Sequence, residues 1–147
     1  MQSMPHLYRV LATGSPEGSV PLSSEGLETL HTNAPAEFGG PGDRWSPEHL
    51  FVASIADCFI LSFRAVARAS RLEWQRLSCD VEGELDRVER TLRFTKVRLQ
   101  PRLEIADEDK RDAALRCLDK AKRACLITNS LDCEVTLEPA VQIAAPA

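Results

Sequence analysis

Aromatic side chains are scarce in this chain, and neither sign of charge dominates it. Aromatics make up 5% of the 147 residues, and the formal net charge is −4. Because the basic residues are spread along the sequence, the chain has no dense basic patch of the kind that binds nucleic acid or an anionic membrane surface. Its length suffices for one core, which aliphatic side chains must fill. We therefore predict a single domain over residues 1–147 and no nucleic-acid partner.

The sequence also shows no segment of the kind that directs a protein into or across a membrane. Met1 to His6 has no basic start followed by an apolar run, as a secretory signal would. The apolar run from Leu50 to Phe63 is shorter than the roughly 20 residues that cross a bilayer, and Asp57 interrupts it. We expect a cytoplasmic protein without a membrane partner, in which this run forms a buried helix.

The cysteines do not form a recognisable framework. Five is an odd number, and their spacing is irregular, which fits a reducing compartment better than a disulfide-stabilised module. No CxxC pair and no tight cluster of His and Cys occurs, so we expect neither a metal ion nor an organic cofactor. Cys79, Cys117 and Cys133 lie on apolar faces of predicted elements, and we interpret them as packing residues.

Apolar periodicity and turn signals predict the element order β-β-α-β-β-α-β. The predicted strands cover residues 6–12, 27–32, 74–88, 91–105 and 133–138. Ser46 as a cap, Pro47 at the first helical position and an acid behind it predict one long helix over 47–69. A second helix follows the acidic residues from Asp107. Because the strands are grouped around the helices instead of alternating with them, we expect an α+β fold with largely antiparallel sheets.

Cys58 lies within the most apolar stretch of the chain. The polar groups of this stretch recur three or four residues apart and therefore share one narrow stripe of the helix; they are Ser54, Asp57, Cys58 and Ser62. A polar stripe on a buried helix usually faces a partner group or a pocket. Cys125 follows the second helix, where polar residues 128–130 indicate an accessible edge. Two cysteines in such settings suggest a thiol enzyme.

Three segments carry a resemblance to a known family: Ser46-Pro-Glu-His-Leu-Phe51, Ser54-Ile-Ala-Asp-Cys-Phe59 and Ala121-Lys-Arg-Ala-Cys-Leu126. Together with the order of elements, they resemble the OsmC/Ohr family of peroxide-handling proteins. The resemblance implies an intertwined homodimer with long buried helices, two sites at the subunit interface and a preference for organic hydroperoxides. It also implies that Cys58 is the peroxidatic thiol and Cys125 the resolving thiol. An external dithiol, of the lipoyl type in many members, then reduces the disulfide.

One part of the family pattern is missing. The resemblance gives Glu48 an electrostatic role through an arginine that holds the cysteine as a thiolate. The best-known branches carry this arginine in the first turn or before the long helix, but residues 14–18 and 34–38 contain none. Arg44 is the nearest candidate for a substitute cation, followed by Arg9. Without a cation, apolar surroundings predict a raised pKa for Cys58 and slow reaction.

Other interpretations stay open at this stage. A divergent member that binds a small apolar ligand or senses oxidants is one alternative to a peroxidase, and a structural dimer with inert buried cysteines is another. Cys117 precedes Cys125 by eight residues, so the two share a helical face and offer an alternative pairing. Trp45, Phe38 and His49 either line a pocket or belong to ordinary packing.

Overall fold

The structure, a computed structural model, describes residues 1–144. The chain divides into two compact units, Met1–Phe51 and Val52–Ala147, which are described separately below. The family fold predicted from the sequence, a mixture of helices and antiparallel strands, is present in these units. The extent of a single domain over residues 1–147 stays a prediction.

The first unit contains a small antiparallel sheet. Its strands, in the spatial order β1-β2-β3, are β1 (Leu11–Ala12), β2 (Val20–Ser23) and β3 (Leu30–Thr32). The first predicted strand is wrong over most of its length, since only its last two residues pair with β2. Strand β2 was missed because Pro21, which lies within it, is not a residue expected in the interior of a strand. β3 confirms the end of the second predicted strand.

The loop predicted over residues 33–43 is tightly folded near its centre. It contains one 3₁₀ turn, Ala36–Phe38, which ends at Gly39. A side chain at Gly40 would place its Cβ 2.0 Å from the carbonyl oxygen of Ala34, so only glycine fits there. The loop therefore approaches its own backbone closely instead of extending into solvent.

Helix α1 (Pro47–Ala69) confirms the predicted long helix. Ser46 caps it, because its Oγ accepts the backbone N–H of His49 at 3.1 Å. Four residues spaced by four are buried: Ile55, Phe59, Phe63 and Ala67. Burial within the single chain is limited to this stripe, since Leu61 on another side of the helix is 51% exposed. By length and composition alone, α1 could cross a bilayer. Core helices of soluble proteins often meet the same two criteria.

The second unit is built on a mixed sheet. Strands β4 (Arg76–Val88) and β5 (Thr91–Ile105) form the predicted antiparallel hairpin, and Glu89 and Arg90 make its turn. Strands β6 (Glu134–Leu137) and β7 (Ala140–Ile143) both pair with β5 in parallel. β7 and the parallel pairings were not predicted. They follow from the helical crossover after β5, which returns the chain to the same end of the sheet.

Helix α1 packs on this sheet at Gly83 of β4, a residue without a side chain. A Cβ at Gly83 would lie 2.9 Å from Cγ2 of Val52 and 3.0 Å from Cε1 of Phe94. Farther along the helix, Phe63 contacts Trp74 edge-on, with ring centroids 5.3 Å apart. The close approach fixes the depth at which the Cys58 helix lies against the hairpin.

Helix α2 (Arg111–Ala124) confirms the second predicted helix. A 3₁₀ turn precedes it, and the carboxylate of Asp107 accepts the backbone N–H of Asp109 at 2.9 Å. The buried face of α2 consists of Ala114, Cys117, Leu118 and Ala121. A single helical turn, α3 (Leu126–Asn129), follows at once. Cys125 is the residue at the junction, where it ends one helix and precedes the other.

Candidate active site

The structure brings Cys58 and Cys125 together. Cys58 lies half-buried in the middle of α1, whereas Cys125 lies between α2 and α3 with none of its surface exposed. The two thiols are close enough to affect each other's ionisation. All cysteines of residues 1–144 are free, so the pair is in its dithiol form.

The accessible edge expected around Cys125 is wrong. The three polar residues that suggested it are used locally, because each side chain donates to a backbone carbonyl at the end of α2 or within α3. These hydrogen bonds run from Thr128 Oγ1 to the oxygen of Cys125 (3.1 Å), from Asn129 Nδ2 to that of Arg123 (3.0 Å) and from Ser130 Oγ to that of Leu126 (2.8 Å). The polar sequence therefore closes the turn and leaves Cys125 buried.

Hydrogen-bond donors around Cys58 lower the pKa of its thiol. Burial opposes ionisation and raises this pKa, but several groups outweigh it. The backbone amide of Ile127 contributes most, followed by the Cys125 thiol, the Ser62 hydroxyl and the amide of Leu126. The prediction of a raised pKa without an arginine is therefore wrong, because amides, a thiol and a hydroxyl stabilise a thiolate as well.

Cys125 has the opposite tendency. Burial is the largest effect and raises the pKa of the Cys125 thiol; the hydroxyl and amide of Thr128 lower it, and the neighbouring Cys58 raises it again. The net pKa is above the usual value. A proton held on Cys125 can be donated to the Cys58 sulfur, so the site favours a thiolate at Cys58 beside a thiol at Cys125.

The other cysteines are unsuited to this chemistry. Burial, together with the charge of Asp80, raises the pKa of Cys79 to about 12. Cys117 is buried on α2. The alternative pairing of Cys117 with Cys125 is wrong, because eight residues of helix separate them by about 12 Å, beyond the reach of a disulfide. Cys133 lies half-buried before β6.

Glu48 lies in the first unit, in the first turn of α1. Its Oε2 is buried and has no hydrogen-bond partner among the described residues. No ion pair to Glu48 occurs within residues 1–144, so the cation implied by the family resemblance is not supplied at this carboxylate there. A buried carboxylate oxygen without a donor is costly, and its role stays a prediction.

Arg44 is exposed in the loop before α1. It lines a cleft of about 350 Å³ in the first unit together with Trp45 and His49. His49 is oriented by Ser46, whose Oγ lies 2.7 Å from Nδ1, and by the ring of Trp45, which meets it edge-on. Trp45 and His49 thus line a cleft of the first unit, whereas Phe38 is exposed. The substitute role of Arg44 stays a prediction.

Among the groups that act on the two cysteines, the side chains had a signal in the sequence and the backbone amides had none. Ser62 was noticeable, since it follows Cys58 by one helical turn, and its Oγ lies 3.9 Å from Sγ. Thr128 follows Cys125 by three residues, a spacing typical of side chains at helix starts. The amides of Leu126 and Ile127 belong to the backbone, so no residue type could identify them. Among residues 1–144, no three or more His, Cys, Asp or Glu side chains form a group that could hold a metal ion.

Several proteins are similar to this chain. An uncharacterized Bacillus subtilis protein, YmaD, is 26% identical over 114 residues, which cover 74% of this chain and 76% of that one. An organic hydroperoxide resistance protein of Xanthomonas axonopodis is 41% identical over 63 residues, covering 42% and 44%. The structure of an organic hydroperoxide resistance protein OsmC of Legionella pneumophila is 25% identical, with a TM-score of 0.75 over 96% of this chain and 100% of that one.

The family comparison covers both cysteines. The family described as OsmC-like protein matches residues 40–140, which include the long helix, the hairpin, α2 and α3. The fold and the matched segment agree with the resemblance found in the motifs around Cys58 and Cys125. The chain belongs to the OsmC-like protein family.

Proposed function

We propose that this chain is a cytoplasmic, homodimeric peroxidase that reduces organic hydroperoxides with Cys58 and Cys125. The observation that carries the proposal is the proximity of the two thiols, of which Cys58 has a lowered pKa and Cys125 a raised one. The thiolate is the nucleophilic form of cysteine, so the residue that the family resemblance makes peroxidatic is also the one poised to attack.

The first step consumes one hydroperoxide. The Cys58 thiolate attacks the terminal oxygen of the O–O bond, the bond breaks, and an alkoxide leaves with the electron pair. Cys58 becomes a sulfenic acid, and the alkoxide takes up a proton to give the alcohol. The sulfur is oxidised by two electrons, and the hydroperoxide is reduced by the same number.

The second and third steps restore the enzyme. The Cys125 sulfur, once deprotonated, attacks the sulfenic sulfur and displaces hydroxide, which leaves as water after protonation. The Cys58–Cys125 disulfide is then reduced by thiol–disulfide exchange with an external dithiol, for which the family resemblance suggests the lipoyl type. The dithiol is oxidised to its own disulfide, which balances the reaction.

The surroundings of Cys58 suit an organic substrate. The backbone amide of Leu126 helps to lower the pKa of Cys58, while the Leu126 side chain is 65% exposed. On α1, Leu61 is also exposed. Apolar groups beside the nucleophile favour a substrate with a hydrocarbon portion, because they can make apolar contacts with it. Hydrogen peroxide has no such portion and makes none of these contacts. The hydroperoxide resistance named for the Xanthomonas and Legionella relatives supports the same substrate class.

The homodimer is part of this proposal. Helix α1 buries one stripe in its own chain and leaves apolar residues exposed, which a second copy would cover. The unpaired Oε2 of Glu48 is consistent with a donor from elsewhere, such as Arg44 of the second copy. The missing arginine favoured the alternative of a member that binds a small apolar ligand or senses oxidants, whereas the lowered pKa of Cys58 supports a peroxidase.

Stopped-flow oxidation of the reduced protein by cumene hydroperoxide tests the proposal. We expect fast consumption that disappears in Cys58→Ser and stops at a sulfenic acid in Cys125→Ser. Cys133→Ser is the matched control, because it removes a half-buried thiol outside the pair. Oxidation no faster than that of a free thiol, or unchanged in Cys58→Ser, would contradict the proposed function.

A further inference from the structure

One side of α1 carries charged residues that form no ion pair in their own chain. Five exposed residues recur three or four positions apart and make up what we call the exposed stripe of α1: Asp57, Leu61, Arg64, Ala65 and Arg68. They lie within about 100° of one another around the helix, opposite the buried stripe. Among residues 1–144, no ion pair involves Asp57, Arg64 or Arg68.

We propose that the exposed stripe docks antiparallel on the same stripe of a second copy, about a two-fold axis at Leu61, and that Asp57 pairs with Arg64 of that copy. The inference deepens the proposed function and rests on its homodimer. It adds the register of the interface, and it adds a charged group that each copy supplies to the Cys58 region of the other.

The order of charges along the stripe favours this arrangement. The acid lies at the N-terminal end of the stripe, and both arginines lie toward its C-terminal end. Two parallel stripes would bring like charges together, whereas two antiparallel stripes bring opposite charges together. A contact across a two-fold axis forms each such pair twice. The exposed stripe is therefore complementary in charge to itself, with the apolar side chain of Leu61 at its centre.

The spacing around Leu61 selects the pair. Asp57 precedes Leu61 by four residues and Arg64 follows it by three, so in antiparallel helices the two come level to within about 1.5 Å. Both lie on the same side of Leu61, about 40° and 60° around the helix, and the two-fold axis keeps them on one side of the contact. Arg68 of the second copy would lie about 4.5 Å farther along the helix from Asp57.

The pair would change the electrostatics beside Cys58. Asp57 is the neighbouring residue, and a negative charge there disfavours the thiolate. Arg64 of the second copy cancels that charge and brings a cation near the thiol. Cys58 lies on the other side of Leu61, about 60° around the helix, so the ion pair does not occupy the approach to the sulfur.

Charge reversal tests the pairing. Asp57→Arg and Arg64→Asp each place two pairs of like charges in the interface, so we expect a roughly hundredfold weaker dimer in either variant. The double variant Asp57→Arg/Arg64→Asp restores opposite charges and should dimerise like the native protein. Asp57→Arg/Arg68→Asp is the matched control, because it has the same net charge with the acid one helical turn away, and its dimer should stay weak.

Analytical ultracentrifugation over a range of protein concentrations measures these four variants. Native dimerisation in either single variant, no recovery in the double variant, or equal recovery in the control would overturn the pairing. A monomeric native protein, with the stripe left for a different partner, would overturn it as well. None of these measurements uses a hydroperoxide. A protein that dimerises as expected but does not reduce cumene hydroperoxide would therefore contradict the proposed activity and leave the pairing intact.

Alkylation of Cys58 by iodoacetamide tests the electrostatic consequence. Arg64→Gln leaves the charge of Asp57 uncancelled, so we expect Cys58 to react about twofold more slowly at neutral pH, whereas Arg64→Lys should react at the native rate. Rates are compared at protein concentrations at which each variant is a dimer, and Cys58→Ser identifies the reacting thiol. An unchanged rate in Arg64→Gln, or an equal loss in Arg64→Lys, would contradict the effect on Cys58.

Discussion

The Sγ of Cys58 and the Oγ of Ser62 lie 3.9 Å apart, one helical turn from each other on α1. The Ser62 hydroxyl helps to lower the pKa of Cys58. We expect Ser62→Ala to raise this pKa and to slow the alkylation of Cys58 by iodoacetamide at neutral pH. The separation is long even for sulfur, so the effect should be modest, about threefold.

Ser70→Ala serves as the control for Ser62→Ala, because it removes an exposed serine just beyond the end of α1. The measurement is the pH profile of alkylation, compared with that of Cys58→Ser to identify the reacting thiol. A profile for Ser62→Ala that superimposes on the native one would show that the hydroxyl does not act on Cys58.

Leu126 offers a way to separate a backbone effect from a side-chain effect. It is the first residue of α3, a position that tolerates proline, so Leu126→Pro removes the amide hydrogen with little strain. We expect Leu126→Pro to raise the pKa of Cys58, and Leu126→Ala to leave it as it is. Leu126→Ala should instead slow the reaction with cumene hydroperoxide more than that with hydrogen peroxide.

Alkylation profiles and the ratio of the two peroxide rates check the Leu126 prediction. The amide of Leu126 contributes least among the groups that lower the pKa of Cys58, so Leu126→Pro should raise this pKa only slightly. Equal profiles for the proline and alanine variants would contradict the assigned role of the amide.

The raised pKa of Cys79 predicts a loss of stability in alkaline solution. A thiol whose pKa is higher in the folded than in the unfolded state stabilises the fold below the unfolded value, and this contribution disappears as pH rises from about 9 to about 12. We expect the urea concentration at the midpoint of unfolding to decrease as the pH rises through the accessible part of this range. In Cys79→Ala the fall should be smaller, and parallel curves for the two proteins would contradict the prediction.

Gly83 should be sensitive to any added side chain. Its Cβ would meet Val52 and Phe94 at 2.9 and 3.0 Å, so α1 or the hairpin must shift. We expect Gly83→Ala to lower the free energy of unfolding by about 1–3 kcal/mol. Gly14→Ala is the control, since its nearest neighbour would be 3.9 Å away. Chemical denaturation measures both, and equal stabilities would contradict the close packing.

The exposed side of α1 tests the proposed dimer. Leu61→Glu places a charge on an apolar surface that a second copy would cover, and a loss of about 2 kcal/mol corresponds to a roughly thirtyfold weaker dimer. Arg116→Glu, on the exposed face of α2, should leave the dimer intact. Sedimentation at several protein concentrations measures the dimerisation of the two variants and of the native protein. A Leu61→Glu protein that dimerises like the native one would place the interface elsewhere.

Elements with strong local signals were predictable from the sequence. The cap and proline at Ser46 and Pro47 determine the start of α1, and the hairpin β4–β5 has apolar alternation on both sides of a polar turn. β2 has only four residues and contains Pro21, so local propensity argued against a strand that tertiary pairing nevertheless forms.

The electrostatics of the candidate site were less predictable than its residues. Cys58 and Cys125 are identifiable from motifs, but the sequence suggested that an arginine was needed to lower a cysteine pKa. In the structure, backbone amides at the start of α3 contribute to this effect, and their position depends on where α2 ends. Polar residues after Cys125 indicated exposure, whereas their side chains satisfy backbone carbonyls and close the turn.

The junction at Cys125 has a consequence for the chain as a polymer. Cys58 and Cys125 are 67 residues apart, and the stretch between them contains the hairpin and all of α2. A disulfide between them would close this stretch into a covalent ring and restrict the unfolded chain, which corresponds to a loop-closure contribution of roughly 4 kcal/mol. Each turnover would therefore alternate between a linear and a cyclised topology, with the reduced chain the more easily unfolded of the two.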